Sequence, residues 1–367
     1  MRELLRRLGA AFSRVAAIAG VRDLAYSVFA VFLALGVGAL LIFAFGYDVG
    51  RAFSALFQGA FGSVRAVSQT LTRATPLLFT GLAVAVAFKV GLFNIGGEGQ
   101  MYWGALASAV VSLALVGLPV FFIIAGAVIA AALAGALWGV VPGVLKAQTG
   151  AHEVITTIML NSIAVLGTTH LTANYFKAPG AVDQTMRLPV EARMPHIIDG
   201  TGIGYGIVIG ICVVVAVHWL FKRSSLGYDF QAVGFSPGAA AYGGIASKRM
   251  IVLSMALGGA MAGIAGSMVV LAQLGRFVTG FSPGYGFTGI AVAVLGRTHP
   301  WGVLLAALLF GALEAGGMTM QLSARIPNDL MTVVQGLVIL FVAAPGLMKI
   351  FPSLRPKGGT KESSHVA

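Results

Sequence analysis

Leu24-Ala-Tyr-Ser-Val-Phe-Ala-Val-Phe-Leu-Ala-Leu-Gly-Val-Gly-Ala-Leu-Leu-Ile-Phe-Ala-Phe-Gly46 is the stretch from which the fold class follows, because only Tyr26 and Ser27 in it are polar. As a helix, about 20 such residues cross the hydrocarbon core of a bilayer. The run is too long for a signal-peptide core and lacks a small-residue cleavage site, so it reads as a retained span. Further apolar runs follow at roughly 76–93, 101–117, 119–142, 154–172, 203–221, 250–272, 287–296, 301–320 and 328–348. The eighth of these ten segments is too short to span alone. It is either extended by Gly280–Gly286 or re-entrant. The expected class is an all-α integral membrane protein with about ten transmembrane segments.

Composition agrees with that reading. Hydrophobic residues make up 58% of the 367 positions and charged residues 10%, against about 25% charged in a soluble domain. So few charges cannot cover a water-facing surface. The 50 glycines suit helices that approach closely in lipid. Cys212, the single cysteine, lies in an apolar run and forms no intrachain disulfide. The formal charge of +12 is no nucleic-acid footprint, because no basic run is interleaved with aromatics. With the N-terminus inside, the inside segments carry 15 Lys and Arg and the outside loops 47–75, 173–202, 273–286 and 321–327 carry 8. That bias puts both termini in the cytoplasm.

The chain then divides into a basic N-terminus (1–23), a transmembrane domain (24–350) and a polar cytoplasmic tail (351–367). Leu4, Leu5, Leu8, Phe12 and Val15 recur at helical spacing among Arg6, Arg7 and Arg14. They read as an amphipathic helix on the inner membrane surface or as a frayed basic tail. Phe93-Asn-Ile-Gly96 resembles Phe281-Ser-Pro-Gly284, and Ala131–Leu137 resembles Ala306–Leu313. If spans two to five recur as spans seven to ten, the odd offset inverts the second copy in the membrane.

Catalytic motifs are absent or fail on chemistry. Gly-Phe-Ser-Pro-Gly at 234–238 and 280–284 fits the G-x-S-x-G nucleophile elbow. That elbow uses the N–H of the residue after the serine, and Pro237 or Pro283 has none. Ser236 reads instead as a helix N-cap with Pro237 at the first helical position. The six histidines are scattered without metal-ligand spacing. No G-x-x-x-x-G-K-[ST] occurs, so the chain needs no cofactor of its own and any ATP coupling comes from another subunit.

The inside loop 222–249 is the most informative stretch. It carries a short helix from Pro237 to about Tyr242, bearing Ala239, Ala240 and Ala241 and closed by Gly243-Gly244. Such a small-sided helix fits a groove on a partner, with Ala239 and Ala240 both expected to lie in water. The pattern Leu226-Gly-Tyr-Asp-Phe-Gln-Ala-Val-Gly234, followed by Pro237-Gly-Ala-Ala-Ala-Tyr-Gly-Gly-Ile245, resembles the coupling-helix loop of ABC importer permeases of the ribose, nucleoside and branched-chain amino-acid superfamily. Members usually have Asn before the proline and Arg within the alanine run, where this chain has Ser236 and Ala241. Gly91–Ala105, Glu153–Asn161 and Gly289–Gly302 are most similar to the nucleoside and simple-sugar branch.

The resemblance covers roughly 24–350 and implies a type II-like ABC importer permease of the cell inner membrane. It further implies a separate ATPase holding ATP and magnesium, a second permease that is often a different chain, and a solute-binding protein or lipoprotein. The coupling contact would involve Gly234, Ser236, Pro237, Ala239, Ala240, Tyr242, Gly243 and Gly244.

Polar groups inside spans carry the solute hypothesis. Phe93–Gln100 breaks two apolar helices, and Asn94, Glu98 and Gln100 could bond the hydroxyls of a nucleoside or sugar. The alternative is a tight inside turn packed on a neighbouring subunit. Asn161 reads as an interhelical hydrogen-bonding residue or a pathway residue. Glu314 has no evident sequence partner and reads as a subunit contact or a pathway residue. Lys89, at a span end, snorkels. An ion-coupled secondary transporter of a small polar solute is the rival reading, and an intramembrane enzyme a distant third.

Overall fold

The structure, a computed structural model, describes residues 19–195 and 204–343. Most of the expected amphipathic helix at Met1–Gly20 and all of the polar tail lie outside the described residues. Among those residues the chain is helical, and strand-like pairing is confined to isolated bridges. In chain order the helices are α1 (Ala19–Ala44), α2 (Val49–Phe61), α3 (Val64–Lys89), α4 (Gly97–Ala114), α5 (Val120–Thr149) and α6 (Glu153–Leu171). They continue with α7 (Gly206–Arg223), α8 (Ser225–Phe235), α9 (Pro237–Tyr242), α10 (Ser247–Met268), α11 (Tyr285–Leu295), α12 (Pro300–Ala324) and α13 (Asn328–Ala343). π-Helical turns extend α6 over Thr172–Phe176 and α10 over Val269–Leu274.

Six of these helices are long and apolar enough to cross a membrane: α3, α5, α6, α7, α10 and α12. The other four expected segments also coincide with helices, but α11 has only 11 residues, and α1, α4 and α13 do not reach that length and hydropathy within the described residues. The expected outside loop 47–75 is a correction. It folds into α2 and the first turns of α3, started by two side-chain caps. Asp48 Oδ1 accepts from Arg51 N at 3.0 Å, and Ser63 Oγ accepts from Ala66 N at 3.1 Å. Polar residues made this stretch read as loop, yet Ser68, Thr70 and Thr75 are buried. Thr75 donates to the Leu71 carbonyl, and Thr70 donates to the Ala60 carbonyl of α2. The expected inside loop 222–249 is likewise mostly helix, with α8 preceding the expected short helix.

The chain divides into two units, one of residues 1–41 with 332–367 and the other Ile42–Met331. In the first, Gly38 of α1 packs on the Val334 side chain of α13. In the second, α3 and α10 form the centre, 78% and 72% buried over their most apolar windows. α5 and α6 are 22% buried and turn rows of Leu, Ile and Phe outward, as helices in contact with lipid do.

Packing at the centre depends on missing side chains. A Cβ on Gly135 of α5 would overlap the Gly259 carbonyl of α10, and one on Gly263 would overlap the Ala131 carbonyl. Backbones in that contact exchange dispersion over a long seam. Pro76 interrupts α3 and leaves the Thr72 carbonyl without its helical donor. Gln273 Nε2, from the π-turn after α10, supplies one at 3.1 Å.

The neighbours within this unit pair in a regular way. α3 packs on α10, α5 packs on α10 while α12 packs on α3, and α4 packs on α10 while α11 packs on α3. Exchanging α3, α4 and α5 for α10, α11 and α12 maps this set of contacts onto itself.

Candidate substrate pathway and coupling surface

Four of the five pathway candidates meet at the break before α4. Val90–Gly96 is not helical; Val90, Gly91 and Leu92 N donate to carbonyls at the end of α3, and side chains satisfy polar groups further along. Asn94 Oδ1 accepts from Gly96 N at 2.9 Å. Asn94 Nδ2 donates to Gln100 Oε1 at 3.2 Å, and Gln100 Nε2 returns a longer contact to Asn94 Oδ1 at 3.4 Å. Both side chains are fully buried. Asn161, reaching in from α6, accepts from Gly99 N at 2.8 Å and donates to the Ile95 carbonyl at 2.9 Å. One amide thus serves a free donor at the start of α4 and a free acceptor in the break, which irregular backbone away from water requires.

Glu98 faces a second helix start. Its Oε2 accepts from Gly286 N, in the first turn of α11, at 2.7 Å. A Cβ on Gly286 would overlap the Glu98 backbone, so the two helix N-termini touch. A carboxylate there complements the unpaired N–H groups and positive dipole ends of both helices. The turn before α11 is built like the one before α4. Ser282 Oγ accepts from Gly284 N and Tyr285 N, both at 3.1 Å, as Asn94 accepts from Gly96 N. Ser282 also lies beside the Glu98 carboxylate. Beside it, the Tyr102, Phe277 and Phe281 rings cluster at centroid separations of 4.7–6.4 Å.

Glu314 does not join this network, and it is not partnerless. Its Oε1 pairs with Arg73 Nη1 of α3 at 2.7 Å, with both side chains largely buried. Arg73 had been placed in a loop, which hid the pairing. Tyr285 lies within electrostatic range of Glu98, Arg73 and Glu314. Arg73, Ser282, Tyr285 and Gly286 are therefore neighbours of the candidates that sequence reasoning missed. Only the likeness of 281–284 to 93–96 signalled any of them.

The segment 185–194 clamps the approach to α11. Thr185 N donates to the Phe277 carbonyl at 2.9 Å, and Phe277 N donates to Thr185 Oγ1 at 3.0 Å. Leu188 N donates to the Gly275 carbonyl and Met194 N to the Leu271 carbonyl. Gly275, at φ +66°, lies against the Arg193 guanidinium.

At the other end, α9 starts at Ser236, whose Oγ accepts from Ala239 N at 3.3 Å, with Pro237 in the first turn. Gly243 caps the helix, and Gly244 follows at φ +85°. Ser247 Oγ closes the loop on the Pro237 carbonyl at 2.9 Å. Ala240 is a correction. It is buried at 5% exposure and turns inward, whereas Phe235 and Tyr242 stand 88% and 98% exposed. The free face is thus Phe235, Gly238, Ala239, Ala241 and Tyr242. Gly234 packs on the backbone of Lys89 and Val90, and Gly91, at φ +77°, lies near the Gly234 carbonyl. The loop and the break before α4 are therefore joined backbone to backbone.

Among the described residues no three His, Cys, Asp or Glu side chains form a group that could hold a metal. Residues 66–343 match the model of a family described as branched-chain amino acid transport system / permease component. The guanosine ABC transporter permease protein NupP of Bacillus subtilis is 39% identical over 339 residues, covering 90% of this chain and 96% of the relative. The nucleoside ABC transporter permease protein NupB of Lactococcus lactis is 37% identical over 326 residues, 86% of this chain and 89% of the relative. The glucose ABC transporter permease protein TsgB13 of Haloferax volcanii is 33% identical over 333 residues, 88% and 87% respectively.

Proposed function

The chain belongs to the branched-chain amino acid transport system permease family, and from that premise we propose that it carries nucleosides inward through an ATP-driven importer. It is a multi-pass membrane permease and a transport subunit, not an enzyme. The observation that carries the solute reading is the 39% identity to a guanosine permease along 96% of that relative's length. The glucose permease at 33% supports a sugar as the second reading, and sugar hydroxyls are the chemistry the two solutes share.

The finer architecture belongs to the same proposal. The chain spans the inner membrane with ten segments and has both termini in the cytoplasm, which the excess of Lys and Arg on that side supports. α3–α6 recur as α10–α13 in inverted orientation. The reciprocal helix neighbours and the matched Asn94 and Ser282 turns support this duplication. The exposed face of α9, with Phe235 and Tyr242 beside it, docks on a separate ATPase that holds magnesium and ATP. A second, different permease chain completes the pathway, and a binding protein delivers solute. Asn94, Glu98, Gln100 and Asn161 hold the irregular backbone of the pathway, and Arg73–Glu314 braces it.

Uptake of labelled guanosine, uridine and glucose, in cells lacking the chain and in cells with it restored, tests the solute. Restored guanosine and uridine uptake without glucose uptake is the expected result. Glucose uptake alone would replace nucleosides with a sugar.

A further inference from the structure

We infer that the junction of the ends of α3, α7 and α12 is a binding site for the headgroup of an anionic phospholipid. Four basic side chains converge there from three helices. Lys89 sits in the last turn of α3, His218 and Lys222 lie at the end of α7, and His299 is the N-cap of α12. The two imidazoles lie 5.5 Å apart by ring centroid, and Trp301 lies 6.4 Å from His218. His218, Lys222 and Lys89 all lie within electrostatic range of His299. Among the described residues none of the four forms an ion pair, whereas Arg73, Lys146 and Lys177 each have an acidic partner.

The Lys89 and Lys222 charges repel one another without a counter-charge, and an anion seated among them and the two imidazoles removes that cost. The surroundings favour a lipid as the source of that anion. Trp219 and Trp301 are 61% and 41% exposed, and tryptophan concentrates at the headgroup level of a bilayer. Lys89 keeps its ammonium over the Phe221 ring at 5.4 Å, the posture of a chain laid on apolar surface with its charge at the boundary. The cluster lies at the ends of three spanning helices, and the free aromatic face of the coupling segment, Phe235 and Tyr242, is on the elements beyond α7. The cluster borders the coupling segment, since Gly234 packs on the Lys89 backbone, and the test therefore follows ATPase binding as well as lipid. The ligand class is a phosphodiester bearing a net negative charge, such as phosphatidylglycerol.

The test uses the assembled transporter in zwitterionic detergent, titrated with phosphatidylglycerol or phosphatidylcholine while its thermal unfolding midpoint is followed. Phosphatidylglycerol raises the midpoint saturably and phosphatidylcholine does not. H218Q/K222Q weakens the apparent phosphatidylglycerol affinity by about fivefold or more, taking about fivefold for the one lysine charge near an anionic surface. K222R retains it, which separates lost charge from lost fold. Equal responses to the two lipids, or an unchanged response in H218Q/K222Q, would overturn the site. A matching rise with inorganic phosphate at the same concentration and no lipid would also overturn it, because the anion would then need no acyl chain. Loss of ATPase from purified H218Q/K222Q, with the lipid response intact, would assign the cluster to the protein partner instead.

Discussion

Asn161 holds two backbone groups at once, and its removal is the most informative single change at the residue scale. Asn161→Ala leaves Gly99 N and the Ile95 carbonyl without partners, and each such buried group costs about 1–3 kcal/mol. We expect a clear fall in the thermal midpoint of the detergent-solubilised protein, while Ser162→Ala, on the exposed side of the same helix, changes stability by about 0.5 kcal/mol or less. Equal effects of the two substitutions would remove Asn161 from this role. His299 gives a pH dependence. Partial burial, then the nearby His218, Lys222 and Lys89 charges, lowers its pKa. The unfolded chain therefore binds this proton at a higher pH than the folded one, so stability is lost as pH falls from about 6.5 through the lowered folded value. His299→Gln flattens that acid limb, and unfolding midpoints measured from pH 8 to 5 check it. The hydrogen-bonding reading of Asn161 was available from its place inside an apolar run. The Arg73–Glu314 pair was not, because Ser68, Thr70, Thr72 and Thr75 made the start of α3 look like loop when their hydroxyls largely turn back to backbone carbonyls.

At the scale of elements, α9 was legible almost to the residue, because Ser236, Pro237 and Gly243 are local signals that carry their own geometry. Which face it presents was not legible, since three consecutive alanines look alike until the neighbours are known. The expectation that Ala239 and Ala240 are equivalent therefore divides. Ala239→Arg lies on the free face and should leave folding intact while reducing ATPase co-purification and uptake by tenfold or so, a coupling change of about 1.4 kcal/mol. Ala240→Arg buries a charge against the loop and should lower the yield of folded protein first. Pull-down of the ATPase alongside size-exclusion profiles separates the outcomes. Unimpaired uptake by Ala239→Arg would exclude this face as the contact. The clamp of residues 185–194 over 271–277 had no sequence signature, because it rests on backbone bonds between segments about 90 residues apart.

For the whole molecule, periodicity and composition were enough for an all-helical membrane chain, because lipid tolerates few alternatives. They could not settle α11 or the broken approach to α4, where half-length helices depend on partners remote in sequence. Orientation is open to a direct check. Reporter fusions within 181–195 should be active as alkaline phosphatase and fusions at Ala367 inactive, and the reverse pattern would invert the chain. The contact between Glu98 and Gly286 has one more consequence. The two positions are 188 residues apart, as are Phe93 and Phe281, so on the duplication reading they are the same position in the two copies, facing each other. A Cβ at 286 would meet the backbone of residue 98 whatever side chain stands there. Two copies of one ancestral segment could therefore not both keep a side chain here, and the close approach obliges the second to be glycine while the first keeps its acid. Glu98→Gly should reduce uptake by emptying the seat, and Gly286→Glu should disable it by driving the two helix starts apart. Glu98→Gly should not rescue Gly286→Glu, and recovered uptake in the double variant would show that the two positions contend only through their side chains.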